Sequence, residues 1–197
     1  MSVLVFCDAY RGSLSKAAAE AVSYGKQIAS AIGGEVNVVT YGNVDAGELA
    51  GLGAYGASNV GVARSITDTD SQQLTRLVVQ AAQQHSAKVV VCSHDFTGKM
   101  VAPRVAAALK AGIVSGAVAV PDTSSGFAVR KAVFSGKAFA TFNINTDIKV
   151  VSLLPNSISP TKGQGTANVS EVSVDTGAAG VTVKEFRPEG GDGVPLT

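Results

Sequence analysis

The chain contains no tryptophan, only two cysteines and few charged residues. Cys7 and Cys92 each end an apolar, valine-rich run, a position typical of a buried, unreactive thiol and not of a disulfide framework. Charged residues make up 16% of the 197 residues and leave a net charge of +1. Because nucleic-acid binding needs a clustered basic footprint, we expect no nucleic-acid partner.

Long apolar runs are also missing. The opening segment, residues 1–6, is apolar for only a few positions, and it has neither the basic front nor the small-residue cleavage site of a secretory signal. No stretch approaches the roughly 18 apolar residues that cross a bilayer. We therefore expect a soluble, intracellular protein with no signal peptide and no membrane insertion.

The sequence shows no convincing catalytic or metal-binding pattern. Gly98-Lys99 is similar to the end of a phosphate-cradling loop, but Ser93 and Met100 stand where that loop needs a glycine and a hydroxyl residue. A thiol, an imidazole and a carboxylate crowd residues 92–95, yet the chain has only two histidines and no second ligand cluster. We expect no catalytic residue and no metal site.

The first half of the chain alternates between buried-strand and helix patterns. Apolar runs predict strands at Val3–Phe6, Val36–Tyr41, Val60–Ala63 and Lys88–Cys92, and helical spacing predicts helices at Ser13–Gly33, Asp45–Leu52, Asp70–His85 and Gly98–Ala111. Such alternation predicts an α/β fold with a doubly wound, mostly parallel sheet, helices on both faces and right-handed crossovers.

After Gly112 the pattern changes to strands without intervening helices. The strand-like runs are Ala117–Val120, Phe127–Phe134, Ala138–Phe142 and Val150–Leu154, and they predict antiparallel strands that extend the sheet. Polar and glycine-rich composition predicts a loop at 155–165, and period-two alternation predicts further strands at Ala167–Val174 and Val181–Phe186. We divide the chain into a nucleotide-binding-like domain (1–155), peripheral strands (156–187) and a linker (188–197).

One candidate ligand site follows the first strand. Asp8, Arg11 and Ser13 lie at a strand's carboxyl end and ahead of a predicted helix, where α/β sheets bind ligands and free N–H groups favour an anion. Arg11 and Ser13 could therefore hold a phosphate. The structural alternative is that Ser13 only caps the helix and Asp8 only satisfies loop amides.

Arg104 is a second candidate for function. It follows Pro103 on a predicted helix that is otherwise rich in alanine. The side chain could lie in solvent, or its planar guanidinium could contact a partner or another domain. The sequence leaves the two possibilities open.

Two segments of the chain resemble the amino-terminal domain of the electron transfer flavoprotein alpha subunit. They are Phe96–Lys110, with Gly98-Lys99 ahead of Pro103-Arg104-Val105-Ala106, and the strand pair Val129–Ala138. The resemblance covers roughly residues 3–188, with two departures. Ser135-Gly136-Lys137-Ala138 replaces the family's usual Ala-Gly-Asn-Ala, and the family's Val-Val-Ser-Gly-Gly-Arg-Gly flavin motif does not follow Glu189.

The resemblance implies a fold like that of the adenine nucleotide alpha hydrolases and a role as a non-catalytic scaffold. In this family the alpha subunit pairs with a beta subunit, which commonly holds AMP. The heterodimer carries electrons from dehydrogenases such as acyl-CoA dehydrogenases, in fatty acid beta-oxidation, to a membrane quinone oxidoreductase, in the bacterial cytoplasm or the mitochondrial matrix. FAD is held mainly by the alpha subunit's carboxyl-terminal domain, so no cofactor is expected in this chain. Arg104 and Arg130 are the expected partner contacts.

Two other classes of protein remain as alternatives. A small adenine-nucleotide-binding domain related to universal stress proteins shares the early strand–helix alternation and would hold ATP at the Asp8 loop. That class expects a glycine-rich segment after the fourth strand, whereas residues 94–99 contain one glycine. A hydrolase would need a nucleophile in a strained turn, and the sequence offers none.

Overall fold

The computed structural model describes residues 2–185, and the elements below are those of that range. The strands are β1 (Ser2–Phe6), β2 (Ala9–Tyr10), β3 (Ser13–Leu14), β4 (Glu35–Tyr41), β5 (Asn59–Ala63), β6 (Ala87–Ser93), β7 (Gly112–Ala117), β8 (Ala128–Val133), β9 (Ala138–Asn143), β10 (Lys149–Leu153) and β11 (Asn168–Glu171). The helices are α1 (Ala18–Ile32), α2 (Ala46–Gly51), a 3₁₀ helix (Leu52–Tyr55), α3 (Ser71–Gln84) and α4 (Phe96–Leu109).

Nine of these strands form one sheet, in the order β11-β5-β4-β1-β6-β10-β7-β8-β9. From β1 the chain runs outward through β4 to β5, and then returns past β1 to β6. Because both halves use right-handed crossovers, α1 lies on one face of the sheet and α3 and α4 pack together on the other. The predicted doubly wound sheet is confirmed.

The central strands are buried on both faces, which explains their continuous apolar sequences. All five residues of β1 are buried, and β6 is buried except at Lys88. On the α3 face, the rings of Phe6 and Tyr41 stack with centroids 6.4 Å apart. Helix α3 adds Leu74 and Leu77, which are fully buried. The core therefore lies on both sides of β1.

The second half extends the sheet as predicted, with two differences. The strand predicted at Ala117–Val120 lies earlier, as β7 at Gly112–Ala117, so that the two ranges share only Ala117. Strands β7, β8 and β9 form the antiparallel extension. By contrast β10, predicted as part of it, lies between β6 and β7 and is parallel to both. Val150 and Val151 are fully buried. A parallel position for β10 is possible because β8 and β9 supply the long connection from β7 that parallel pairing requires.

The segment after β1 differs from the prediction. A helix was expected from Ser13, but β2 and β3 form a hairpin with a two-residue turn, Arg11-Gly12. Helix α1 begins only at Ala18. Arg11 and Gly12 both have positive φ (57° and 78°), as the tightest hairpin turns require. Gly12 makes that turn possible because glycine adopts positive φ without strain. The helical spacing of apolar residues begins at Leu14, within β3, and so predicted the helix start too early.

Aspartates are the N-cap residues of the other three α-helices. Asp45 and Asp70 cap α2 and α3 as predicted, and Asp95 caps α4 at Phe96, two residues before the predicted start. Helix α4 continues through Pro103, which is exposed to solvent. Within residues 2–185 no helix combines the length and the apolar character that a membrane span requires.

The carboxyl-terminal part wraps around the domain. The predicted loop is held by Glu20, whose carboxylate accepts hydrogen bonds from the backbone N–H groups of Asn156 and Ile158 (both 3.0 Å). Strand β11 then pairs with β5, and is shorter than predicted. The strand expected at 181–186 does not form in residues 181–185. The predicted domain boundaries stay predictions, and the 188–197 linker lies outside the described residues.

Gly98 offers a test of how tightly α4 packs on β6. A Cβ at this position would collide with the carbonyl oxygen of Ser93, so we expect Gly98→Ala to lower the free energy of unfolding by about 3 kcal/mol. Gly51→Ala is the matched control, because Gly51 is helical and nothing lies near its missing Cβ. Chemical denaturation measures both, and equal stabilities of the two variants would contradict the packing described.

Candidate functional site

The carboxyl edge of the sheet between β1 and β6 is where this topology places a ligand. These two neighbouring strands are followed by chains that run in opposite directions, which opens a crevice at their carboxyl ends. Asp8 follows β1, and His94 and Asp95 follow β6. The sequence-predicted loop therefore does lie at the topological switch point.

A hydrogen-bonded network centred on the half-buried Asp8 lies at this switch point. The Tyr41 hydroxyl donates to Asp8 Oδ1 (2.7 Å), and the Thr97 hydroxyl, from the first turn of α4, donates to Asp8 Oδ2 (2.9 Å). Tyr41 also shares a hydrogen bond with the Thr69 hydroxyl (3.0 Å). We call these four residues the Asp8 network. It connects the end of β1 with β4 and α4.

Burial controls the electrostatics of this network. It raises the pKa of Asp8, even though the Tyr41 and Thr97 hydroxyls act in the opposite direction, and the nearby Asp95 carboxylate raises it further. Burial also raises the pKa of the Tyr41 hydroxyl, with the negative charge of Asp8 adding to the effect. Tyr41 and Thr97 are thus neutral hydrogen-bond donors to Asp8, a carboxyl group whose ionisation is disfavoured by burial.

The structure does not place a helix N-terminus behind Arg11 and Ser13. Both side chains are exposed on the β2–β3 hairpin, and α1 begins five residues after Ser13. The Arg11 guanidinium carbon lies 5.3 Å from the centroid of the Tyr10 ring. The idea that Ser13 caps the helix is wrong, because Ala17 occupies the cap position. Phosphate binding by Asp8, Arg11 and Ser13 stays a prediction. The helix N-terminus that was expected to favour an anion directly after Ser13 is not found there.

Each of the crowded residues 92–95 has a separate structural role. Cys92 is buried in β6, and burial raises the pKa of its thiol to about 12. The His94 Nδ1 atom pairs with the buried Ser152 hydroxyl (2.9 Å), and burial together with Lys99 and Lys131 lowers the pKa of His94. Asp95 accepts a hydrogen bond from the Gly98 N–H (2.8 Å). Both cysteines are free and buried, as predicted.

Sequence reasoning missed a cluster of exposed aromatic residues at one end of the sheet. Strands β8 and β9 (residues 128–143, here the β8–β9 ribbon) end the sheet, and three ribbon phenylalanines are largely exposed: Phe134 (79%), Phe139 (55%) and Phe142 (45%). Phe139 and Phe142 lie on opposite faces of β9. The available signal was the aromatic spacing of 138–142, which was interpreted only as a strand pattern.

Arg130 belongs to this exposed surface. It lies beside Phe139 on one face of the β8–β9 ribbon, with its guanidinium carbon 4.1 Å from the ring centroid, a cation–π contact. The pairing of Ala117 with Lys131 puts the Arg130 face on the α4 side of the sheet. Arg104 is exposed on α4. The two arginines singled out from the sequence thus lie on the same side of the molecule.

Charge on the β8–β9 ribbon has one sign. Arg130, Lys131 and Lys137 lie within residues 128–143, and the same stretch contains no aspartate or glutamate. The whole chain, by contrast, is almost neutral, with a net charge of +1. The ribbon combines exposed aromatic rings, cations and an open strand edge.

The raised pKa of Asp8 gives a pH-dependent prediction. A carboxyl whose pKa is higher in the folded state contributes stability below its unfolded pKa and loses it as pH rises through the folded value. As pH falls from 7 toward 3.8, we therefore expect the wild type to gain stability relative to Asp8→Asn, which cannot titrate. Urea unfolding at several pH values measures the difference. A difference that is constant with pH would show that Asp8 has an ordinary pKa.

Two comparisons with known proteins agree with this fold. The family model of the electron transfer flavoprotein domain matches residues 3–176. The chain is also 28% identical, over 203 residues, to electron transfer flavoprotein subunit alpha of Bacillus subtilis (strain 168), and the match covers 99% of this chain and 61% of that protein. The chain thus spans about three-fifths of the length of this relative, and the family resemblance is confirmed. This chain belongs to the electron transfer flavoprotein family.

Proposed function

We propose that this chain is the amino-terminal scaffold of an electron transfer flavoprotein alpha subunit, which binds a beta subunit and positions a flavin domain. In the complete heterodimer, electrons would pass from flavin dehydrogenases such as acyl-CoA dehydrogenases to a quinone oxidoreductase, in a bacterial cytoplasm or a mitochondrial matrix. The observation that carries the proposal is the β8–β9 ribbon, because it exposes three phenylalanines and, among the described residues, no strand pairs with the outer edge of β9.

The β8–β9 ribbon has the properties of a protein interface. An exposed edge strand offers unpaired backbone groups, and soluble proteins usually protect such edges. Here the edge carries Phe139 and Phe142, both about half exposed, in place of the charges that would protect it. Interfaces are enriched in aromatic residues and arginine. Arg130 over Phe139 supplies such a pair, and Arg104 on the same side could enlarge the contact.

The residues at the switch point do not fit the pyrophosphate of FAD. A dinucleotide site of this fold needs glycines in the first turn and a helix N-terminus directly behind them. Residues 9–14 instead form a hairpin, and the Asp8 carboxyl, held by Tyr41 and Thr97, stands at the end of β1, where its negative charge would repel a phosphate. We therefore assign the flavin to another part of the protein, and propose that this domain supports electron transfer without itself being an enzyme.

The decisive experiment mixes this chain with a purified beta subunit of the family, with and without FAD. Light scattering gives the mass of any complex, and absorbance in the flavin band reports bound cofactor. We expect a one-to-one complex that stays colourless. The proposal fails when no complex forms, and tight binding of ATP or AMP by the chain alone would then favour the stress-protein alternative.

Arginine substitutions test which surface makes the contact. We expect Arg130→Ala to weaken the heterodimer at least about tenfold, or about 1.4 kcal/mol, since arginines in interfaces are frequent hot spots. Arg104→Ala should act in the same direction. Both side chains are exposed, so the melting temperature of the chain alone should barely change.

Lys16→Ala is the matched control, because Lys16 is an exposed cation that precedes α1 on the opposite face of the sheet. Isothermal titration against the beta subunit measures all three affinities. Unchanged affinity for both arginine variants would exclude this side of the molecule as the interface. A lower melting temperature without a change in affinity would assign the arginines a structural role only.

A further inference from the structure

The β8–β9 ribbon is buried at its base and exposed at its tip. Phe127 and Val129, where β8 begins, and Ile144, directly after β9, are all buried. At the other end, residues 134–139 are exposed without interruption. The ribbon therefore leaves the domain as an arm whose outer turn, residues 134–137, lies in solvent.

The outer turn has a left-handed backbone. The carbonyl oxygen of Val133 accepts a hydrogen bond from the Gly136 N–H (3.1 Å), and that of Phe134 accepts one from the Lys137 N–H (3.2 Å). Phe134, Ser135 and Gly136 all have positive φ, at 50°, 55° and 84°. Of these three residues only Gly136 adopts such a conformation without strain, because it has no Cβ to crowd a carbonyl oxygen.

Phe134 is an unfavourable residue for its position in two separate ways. Left-handed turns favour asparagine and glycine, and a bulky side chain at positive φ is a genuine outlier. Among the described residues, Phe134 is the only apolar side chain at positive φ. Its ring is also 79% exposed, so burial within the domain does not offset the strain. The isolated domain therefore gains no stability from an aromatic ring at this position.

Strained backbone that also exposes an apolar ring indicates a contact site. Residues held in sparsely populated conformations cluster at binding surfaces, where the strain pre-organises a side chain. Here two backbone hydrogen bonds hold the turn that carries Phe134. A ring presented in this way loses less conformational entropy on binding than one on a flexible loop.

We infer that the beta subunit buries the Phe134 ring, and that this strained turn is an anchor of the β8–β9 ribbon. The inference rests on the proposed function and names one residue of the same contact. Phe139 and Phe142 expose their rings on opposite faces of β9, so apolar surface continues from the tip along both sides of the arm. A lipid surface would cover only the tip of such an arm, whereas a protein can enclose it from several sides.

Phe134→Asn tests the inference, because stability and affinity should change in opposite directions. Asparagine accepts the left-handed conformation, so we expect the melting temperature of the chain alone to rise by about 2–4 °C. Affinity for the beta subunit, measured by isothermal titration, should fall at least about tenfold. Ser86→Gly is the matched control, because Ser86 is exposed and has a φ of 49° but lies between α3 and β6. It should raise the melting temperature and leave the affinity unchanged.

A second measurement reports burial of the ring directly. The chain contains no tryptophan, so Phe134→Trp introduces a single indole, which fluorotryptophan labels in this chain alone. In the free chain, we expect the fluorine NMR signal to shift when H₂O is replaced by D₂O, because the indole is in solvent. In the complex with the beta subunit that solvent shift should be lost.

The outcomes separate this inference from the function it rests on. A complex that binds Phe134→Asn as tightly as wild type, or that leaves the indole in solvent, overturns the anchor and leaves the heterodimer proposal intact. Absence of any complex with the wild-type chain overturns both. Binding to anionic phospholipid vesicles that depends on Phe134, with unchanged affinity for the beta subunit, would assign the turn to a lipid surface instead. Higher stability together with lower affinity and a buried indole supports the anchor.

Discussion

The need to satisfy the Asp8 carboxylate at a partly dry edge of the sheet determines how this domain is organised. A carboxylate removed from water needs hydrogen-bond donors, and here the donors come from β4 and α4, two elements on either side of β1. The same bonds tie β4 and α4 to the end of β1 at the switch point. Side chains from three distant parts of the sequence therefore hold this edge of the sheet together.

The two edge strands of the sheet, β11 and β9, differ in how much apolar side-chain surface they expose. At one edge β11 covers β5, and the contact is reinforced by the Arg64–Glu171 salt bridge (2.8 Å), which as a partly exposed pair adds little stability but marks the register. At the other edge β9 has no described neighbour beyond it and exposes aromatic rings on both faces. An open edge strand that exposes aromatic rings and carries no charged residue of its own, as β9 does, is an aggregation risk unless another chain covers it. This asymmetry is best explained when β9 faces a partner.

The sequence predicted those parts of the fold in which one local signal had no competitor. Buried valine runs identified β1, β4 and β6, and aspartates identified two helix starts, because burial on both faces and capping leave direct marks in the sequence. The start of α1 was wrong because the hairpin turn at Arg11-Gly12 lacks the usual Asn-Gly signal. The parallel place of β10 was also missed. Strand order depends on long-range pairing, which no local pattern encodes.

The candidate site shows the same division between local and non-local information. Asp8 could be placed at the switch point from its position after β1, but its donors Tyr41 and Thr97 are 33 and 89 residues away. Likewise, alternation predicted a strand at 181–186, and nothing in the sequence could show that residues 181–185 would lie in no sheet. A strand pattern without a neighbouring strand is a conflict between local and global preference, and such conflicts concentrate at functional surfaces. In this domain the exposed phenylalanines at the open edge of β9 are a second such conflict.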